Sequence, residues 1–298
     1  MALNPRLARE HYARQRRIAE RATLAVSRLF RRNAPLPQIV ATAAAYQLAS
    51  ATASTQSIAA AAGSPRPLTS AAPFAGVSSA GFPLAEPLIA TIDAYVPAPA
   101  EALPANWWAD ALDFMASVEQ LIESEVQDAG RAAAQVEIAA RPDWQNYVRV
   151  LNPPSCKRCV VLAGRIYRDL EGFQRHPRCD CVNWPVQDWE EAHDAGLVSS
   201  PREAFDKGAI RDLTAAETQA ITDGADIAAV VNSSRGIYTA DIYGRRVKAT
   251  REGTTRRGAW RKANPSRPVR LRPDAIYAIA DGDRTEALRL LRLYGYIK

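Results

Sequence analysis

All four cysteines of the chain fall between positions 156 and 181, and one of its three histidines lies among them. The window reads Cys156-Lys-Arg-Cys159, then a spacer, then His176-Pro-Arg-Cys179-Asp-Cys181. Thiolate and imidazole are preferred ligands of a borderline-soft divalent ion, and zinc takes four of them as a tetrahedron. A Cys-x-x-Cys turn curls both sulfurs around one point, and a His-x-x-Cys turn does the same. Cys156, Cys159, His176 and Cys179 therefore suffice, with Cys181 able to replace Cys179. A structural zinc of this kind contributes on the order of 10 kcal/mol to folding, enough to organise a segment too small for its own core. Two disulfides, or free buried thiols, are the competing readings. A catalytic zinc of the base-deaminase type needs His-x-Glu ahead of Pro-Cys-x-x-Cys. Here the only histidine upstream is His11, and Ser155 separates Pro154 from Cys156.

Size and composition frame this window. A chain of 298 residues has room for one large domain or two. Much of its 47% hydrophobic content is alanine, and only 7% is aromatic, so a thin, helix-rich core is expected. The formal charge of +6 is distributed unevenly. Residues 6 to 32 hold nine arginines against Glu10 and Glu20, and residues 245 to 272 hold eleven Lys/Arg against Glu252. Between them, residues 33 to 140 hold ten acids against Arg66 and Arg131. Basic ends suit an anionic partner such as nucleic acid. No apolar stretch is long enough to predict a membrane span, and the Arg-rich start lacks the apolar run of a secretion signal. Synthesis in a reducing cytoplasm is thus expected, where clustered thiols hold metal more often than they bridge.

Five regions are expected. Residues 1–62 form a basic and Ala-rich helical arm. Leu7, His11, Ile18, Ala22, Val26 and Leu29 fall near one face of its first helix, and arginines fill the rest. Those arginines make either a solvated face or a contact with an acidic or nucleic-acid partner. Residues 63–103, rich in Gly, Ser and Pro, are expected as a linker or extended arm with one short helix near Leu88–Tyr95. Residues 104–142 carry a long helix capped by Asn106 and stopped by Pro142, with a stripe through Trp108, Leu112, Met115, Leu121 or Ile122, Val126, Ala129, Ala133 and Val136. Residues 143–187 form the Cys/His zinc-binding module, entered by a strand over Asn146–Leu151. Residues 188–298 carry short helices and a basic C-terminal region. Caps are legible at Asp188, Ser200 with Glu203, Thr214 with Glu217, and Asp283 with Glu286. The fold class expected is mainly α: helical arm and long helix, a small zinc-organised β/loop module, and a helical, basic C-terminal region.

Signals for catalysis are absent from the sequence: it has no phosphate loop, dinucleotide fingerprint or nucleophile elbow. His193, in Glu190-Glu191-Ala-His193-Asp194, has carboxylate neighbours, but a surface histidine accounts for it. No enzymatic activity is expected.

Tyr147-Val-Arg-Val-Leu151, the Cys156–Tyr167 segment and His176-Pro-Arg-Cys179-Asp-Cys181-Val-Asn-Trp-Pro185 together resemble the MuF-like minor capsid, or head morphogenesis, proteins of tailed phages. Thr222–Asp226, Val230–Asn232 and the closing Ala275–Ile297 resemble versions from phages of actinobacterial hosts. The resemblance covers roughly residues 100 to 298. It implies a structural protein inside the phage head near the portal, with portal protein, inner capsid surface and packaged double-stranded DNA as partners, assembled in the host cytoplasm and independent of membranes. Because each neutralised phosphate releases counterions, the basic C-terminal segment is expected to touch DNA without reading sequence. The residues expected to do so are Arg245, Arg246, Lys248, Arg251, Arg256, Arg257, Arg261 and Lys262, with the N-terminal arginine helix as a second contact. The acidic stretch from Trp107 to Ala140 is the expected docking surface, anchored by Trp107 or Trp108. The alternative is a free-standing zinc-knuckle nucleic-acid-binding protein outside any capsid.

Overall fold

A computed structural model of the chain describes residues 4–95, 112–142, 144–169, 171–172, 176, 179, 181–242, 244–255, 258–266 and 269–298. In chain order its elements are α1 (Pro5–Arg31), α2 (Leu36–Ala61), α3 (Ala85–Tyr95), α4 (Leu112–Ala139), β1 (Asn146–Val150), β2 (Ser155–Cys156), α5 (Lys157–Ala163), β3 (Tyr167–Arg168), β4 (Val182–Val186) and α6 (Trp189–Asp194). They continue as α7 (Pro201–Asp206), β5 (Ile210–Arg211), α8 (Ala215–Thr222), α9 (Ile227–Asn232), β6 (Ile237–Ile242), β7 (Arg245–Thr250), α10 (Ala259–Ala263), β8 (Arg270–Leu271), α11 (Pro273–Ala280) and α12 (Arg284–Leu293). The fold is mainly α with small sheets. No described helix is long and apolar enough to cross a membrane. The chain divides into two compact units: Met1–Asn152 with Arg165–Val198, and Pro153–Gly164 with Ser199–Lys298.

The first unit is a helical bundle with a sheet at one end. Asn4 caps α1 by accepting from the backbone N–H of Arg6 and Leu7, and Pro5 sits where its missing N–H costs nothing. Ala19, Ala22, Val26 and Phe30 of α1 meet Ile39 and Ala43 of α2, Leu84 and Leu88, and Phe114, Val118, Ile122 and Val126 of α4. Alanines at the α1–α2 contact let the two backbones approach closely. A second cluster joins Ala8 and Tyr12 of α1, Ile58 of α2 and Ile138 of α4 to the sheet through Val148, Val150, Val182, Trp184 and Val186. That sheet is antiparallel, ordered β3-β1-β4, with Val148 opposite Trp184 and Arg149 opposite Asn183.

The long-helix stripe is met in part. Ile122, Val126, Ala129 and Ala133 are buried as expected, but Leu112 is 83% exposed and Val136 45% exposed, and Phe114 and Val118 start the buried row instead. A helix turns about 100° per residue, so Leu112 lies on the far side from Phe114. Of the acids on the described part of the helix, Glu125, Asp128 and Glu137 are buried, whereas Asp113 is exposed and Glu119 and Glu123 are half-buried. Asn106, Trp107 and Trp108 lie outside the described residues.

Two of those acids, with Gln47 of α2, tie down the Gly/Ser/Pro-rich stretch expected as a linker. Glu137 accepts from the backbone of Leu68 at 3.0 Å and Thr69 at 2.9 Å, and from the Thr69 hydroxyl at 2.6 Å. Glu125 accepts from the Ser79 N–H at 2.6 Å, and Gln47 accepts from Gly76 N–H at 2.8 Å while donating to the Val77 carbonyl at 2.9 Å. A segment poor in hydrophobic side chains is held by its own backbone donors, which buried acids require as partners.

The second unit packs α5, α8, α9, α11 and α12 around Ile221, Val230, Ile276, Leu291 and Tyr296, with Val161 of α5 against that core. Capping boxes form at Ser200–Glu203 and Thr214–Glu217, and Asp188, in the first unit, and Asp283 each cap a helix. Residues 237–271, within the region expected to carry short helices and a basic end, contain an antiparallel sheet ordered β6-β7-β8.

Candidate metal centre and nucleic-acid interface

Cys156 ends β2, which pairs in parallel with β5 through Ser155–Ile210 and Cys156–Arg211. It is also the N-cap of α5, and its sulfur accepts from the Cys159 N–H at 3.3 Å. This is the tight knuckle that a Cys-x-x-Cys spacing predicts. The helix is anchored by Lys157, whose ammonium lies 2.6 Å from the buried carboxylate of Glu217. Burial pushes the Glu217 carboxyl up, but hydrogen bonds from Lys157, Thr214 and Ser234 outweigh it and hold the pKa below the usual range.

Cys156 and Cys159, two thiols of the second unit, and His176, an imidazole of the first, are of the kinds that can hold a metal ion. The sulfurs of Cys179 and Cys181, both in the first unit, lie 3.3 Å from each other.

Two arginines that the sequence analysis did not single out grip this pair. Arg149 points from the centre of β1 and is fully buried. It donates Nη2 to Cys179 Sγ at 3.2 Å, and to Cys181 Sγ it donates Nη2 at 3.0 Å and Nε at 3.3 Å. Arg131 of α4 donates Nε to the Cys181 carbonyl at 2.7 Å, donates to the Cys179 carbonyl, and pairs with Asp128 and Gln127. One guanidinium orders the sulfurs and the other orders the backbone that carries them. Burial and Cys179 push the Cys181 thiol above its ordinary pKa, with Arg149 and Arg131 pulling the other way. Burial disfavours the charge on Arg131, but Cys181, Cys179 and Asp128 outweigh it and raise its pKa. For Arg149 the signal in the sequence was an arginine between two valines of a strand, since a guanidinium cannot shed its charge and requires partners inside.

The predicted basic residues are partly gathered. On the β6–β7 ribbon Arg246 stands opposite Asp241 and Lys248 opposite Thr239, and Arg245, Arg246, Lys248 and Arg251 are all exposed. Arg251 also lies over the Tyr238 ring at 5.6 Å. Lys262 is exposed and Arg261 half-buried on α10, while Arg256 and Arg257 lie outside the described residues. Arg270 and Arg272, also in this basic stretch, are interior: Arg270 donates to the carbonyls of Tyr294, Glu252 and Gly295. His193 stacks on Trp189 at 4.6 Å, with Asp194 3.7 Å away.

A protein-family model described as VG15 protein matches residues 3–208. The chain belongs to the VG15 protein family. Membership makes this a viral, phage-like protein. The VG15 match takes in α1 to α7, and with them every candidate metal ligand and both sulfur-gripping arginines. No curated protein and no solved structure matches the chain.

Proposed function

We propose that this VG15 family member is a structural protein of the phage head: a minor capsid protein, resident in the head interior near the portal, with no catalytic role. The observation that carries the reading is the match to a phage-like family over residues 3–208. The resemblance of the Cys/His segment to head morphogenesis proteins narrows it. The same reading takes packaged double-stranded DNA as a partner through Arg245, Arg246 and Lys248, exposed cations of β7, and Arg251 just after it. Such a contact neutralises phosphates without reading bases, as a protein that meets any packaged sequence requires.

Zinc is the ion this donor set suits, because sulfur-rich sites with an imidazole select it over harder cations. Cys156, Cys159 and His176 would hold it, with a fourth sulfur from the Cys179–Cys181 pair, and a saturated set gives zinc a structural role. Metal analysis of chain purified without a metal-affinity step should return one zinc per chain, lost on cysteine alkylation. The head assignment is tested by mass spectrometry of purified particles before and after DNA release. The chain should be in the particle and should co-purify with portal protein. Its absence from particles, with DNA binding retained, would replace this reading by a free-standing nucleic-acid-binding protein.

A further inference from the structure

The nine arginines of residues 6–32 are all exposed, and the other face of α1 is fully used in the core of the first unit. Only two have acidic partners on the helix: Arg6 pairs with Glu10 at 2.8 Å and Arg16 with Glu20 at 3.0 Å. The rest repel one another. Arg14 and Arg17 are three apart, Arg17 and Arg21 four apart, and Arg28 stands three before Arg31 and four before Arg32. Like charges at these spacings are neighbours on a helix surface and cost about 0.2–0.5 kcal/mol per pair. The adjoining helix α2 has no charged residue over Leu36–Ala61, so it supplies no compensation. Arg14, Arg17, Arg21, Arg28 and Arg32 lie within a sector of about 60° at 100° per residue, a straight row rather than a scatter. From Arg14 to Arg32 the row runs roughly 27 Å at 1.5 Å per residue. Beside it, Arg9, Tyr12, Arg16 and Arg17 line a cleft of about 320 Å³ with Leu151 and Asn152 just after β1, and Glu20, the ion-pair partner of Arg16, also lines it.

We infer that the outer face of α1 is a second tract for the sugar–phosphate backbone of duplex DNA. A row of exposed guanidiniums, most of them without an ion-pair partner on the helix, fits a polyanion, and each arginine can hold a phosphate by two parallel hydrogen bonds. The tract rests on the proposed function only in taking DNA as the partner. It uses residues separate from the β6–β7 ribbon.

Binding of the full chain to a random-sequence duplex across a salt series tests it. Three variants are compared with wild type: Arg14→Gln/Arg17→Gln/Arg21→Gln, the same three positions changed to Lys, and Arg245→Gln/Arg246→Gln/Lys248→Gln. Each lost phosphate contact lowers the slope of log K against log salt by about 0.9, so the α1 glutamine variant should lose about 2 to 3 from the slope and bind at least tenfold more weakly at low salt. The lysine variant should keep the slope, because charge suffices there. An α1 variant indistinguishable from wild type beside a weakened ribbon variant overturns this inference and leaves the ribbon standing. The converse result supports the tract and removes the ribbon. A wild-type slope near zero overturns both. Loss of binding to polyglutamate with duplex binding unchanged would identify an acidic protein as the partner of α1 and overturn the inference. The three arginines are exposed and removal of their mutual repulsion should leave the thermal midpoint equal or higher, so a fall in affinity is not a failure to fold.

Discussion

His11 makes the first unit sensitive to acid by an amount that can be worked out. Its ring is 2% exposed, packs 5.8 Å from the Trp184 ring, and has no hydrogen-bond partner at Nδ1 among the described residues. Burial, and secondarily the charge on Arg14, lower its pKa from 6.5 to about 3. The neutral imidazole is therefore the form the fold accepts. Above the unfolded pKa both states are neutral there and the fold loses nothing. As pH falls from 6.5 towards 3, the unfolded chain takes up a proton that the folded chain refuses, and stability is lost through that window. Each pKa unit is worth about 1.4 kcal/mol, so a step from pH 7 to pH 4 costs roughly 3 kcal/mol, a large share of a typical domain's 5–15 kcal/mol. His11→Phe keeps a flat ring against Trp184 and removes the titration. Guanidinium unfolding of both proteins, followed by fluorescence of the buried Trp144 and Trp184, should give a stability gap that widens in favour of the variant by about 1.4 kcal/mol per pH unit below the histidine range. A gap equal at pH 7 and at about pH 4 would refute the reasoning, whatever its absolute size, because only proton linkage makes it move.

Three further outcomes follow from packing and ligation. Glu137→Gln removes the carboxylate that binds Leu68, Thr69 and the buried Arg141, and should cost about 3–5 kcal/mol in chemical unfolding with faster amide exchange at positions 68 and 69. Burial pushes the Glu137 carboxyl up, but its hydrogen bonds from Thr69, Leu68 and Arg141 win and lower the pKa; the wild-type contribution is present above the unfolded carboxylate range and fades as pH falls through the folded pKa. Gly130→Ala places a Cβ 2.4 Å from Ser50 Oγ and 2.5 Å from Gln15 Oε1, so it should destabilise by about 1–3 kcal/mol in a thermal or denaturant melt, despite alanine's better helix propensity. Cys156→Ser/Cys159→Ser should abolish bound metal by elemental analysis and lower the melting temperature, while leaving duplex binding through the basic tracts largely intact.

Helices were legible where one face is apolar over many residues and the ends carry caps. α1 and the capped helices after residue 188 follow from periodicity and side-chain chemistry that act locally, and α2 from its run of alanines. Half of the α4 core row is legible too; its start at Phe114 and Val118 rather than Leu112 is not, because it depends on the face that α1 and α2 cover rather than on α4 itself. The anchoring of residues 63–95 was invisible for another reason. It depends on Gln47, Glu125 and Glu137, polar residues far away in sequence, whose burial only the assembled bundle produces. At the candidate site the Cys156/Cys159 knuckle is a local property, and spacing was enough to find it. Arg149 and Arg131 reach the second cysteine pair from a strand and a helix that approach only in three dimensions. The β6–β7 ribbon was missed because Ile237–Ile242 alternates with alanine and threonine, a weak period-two signal, although exposure along it alternates without exception.

The second unit borrows α5 and its flanks, residues 153–164, from the middle of the stretch that otherwise builds the first. No single cut can therefore excise either half intact. Cleavage near residue 198 would leave the C-terminal piece without the helix that carries Val161 to its core, and would leave the N-terminal piece trailing an unsupported apolar turn. Any attempt to express the halves separately has to move twelve residues from one gene fragment to the other.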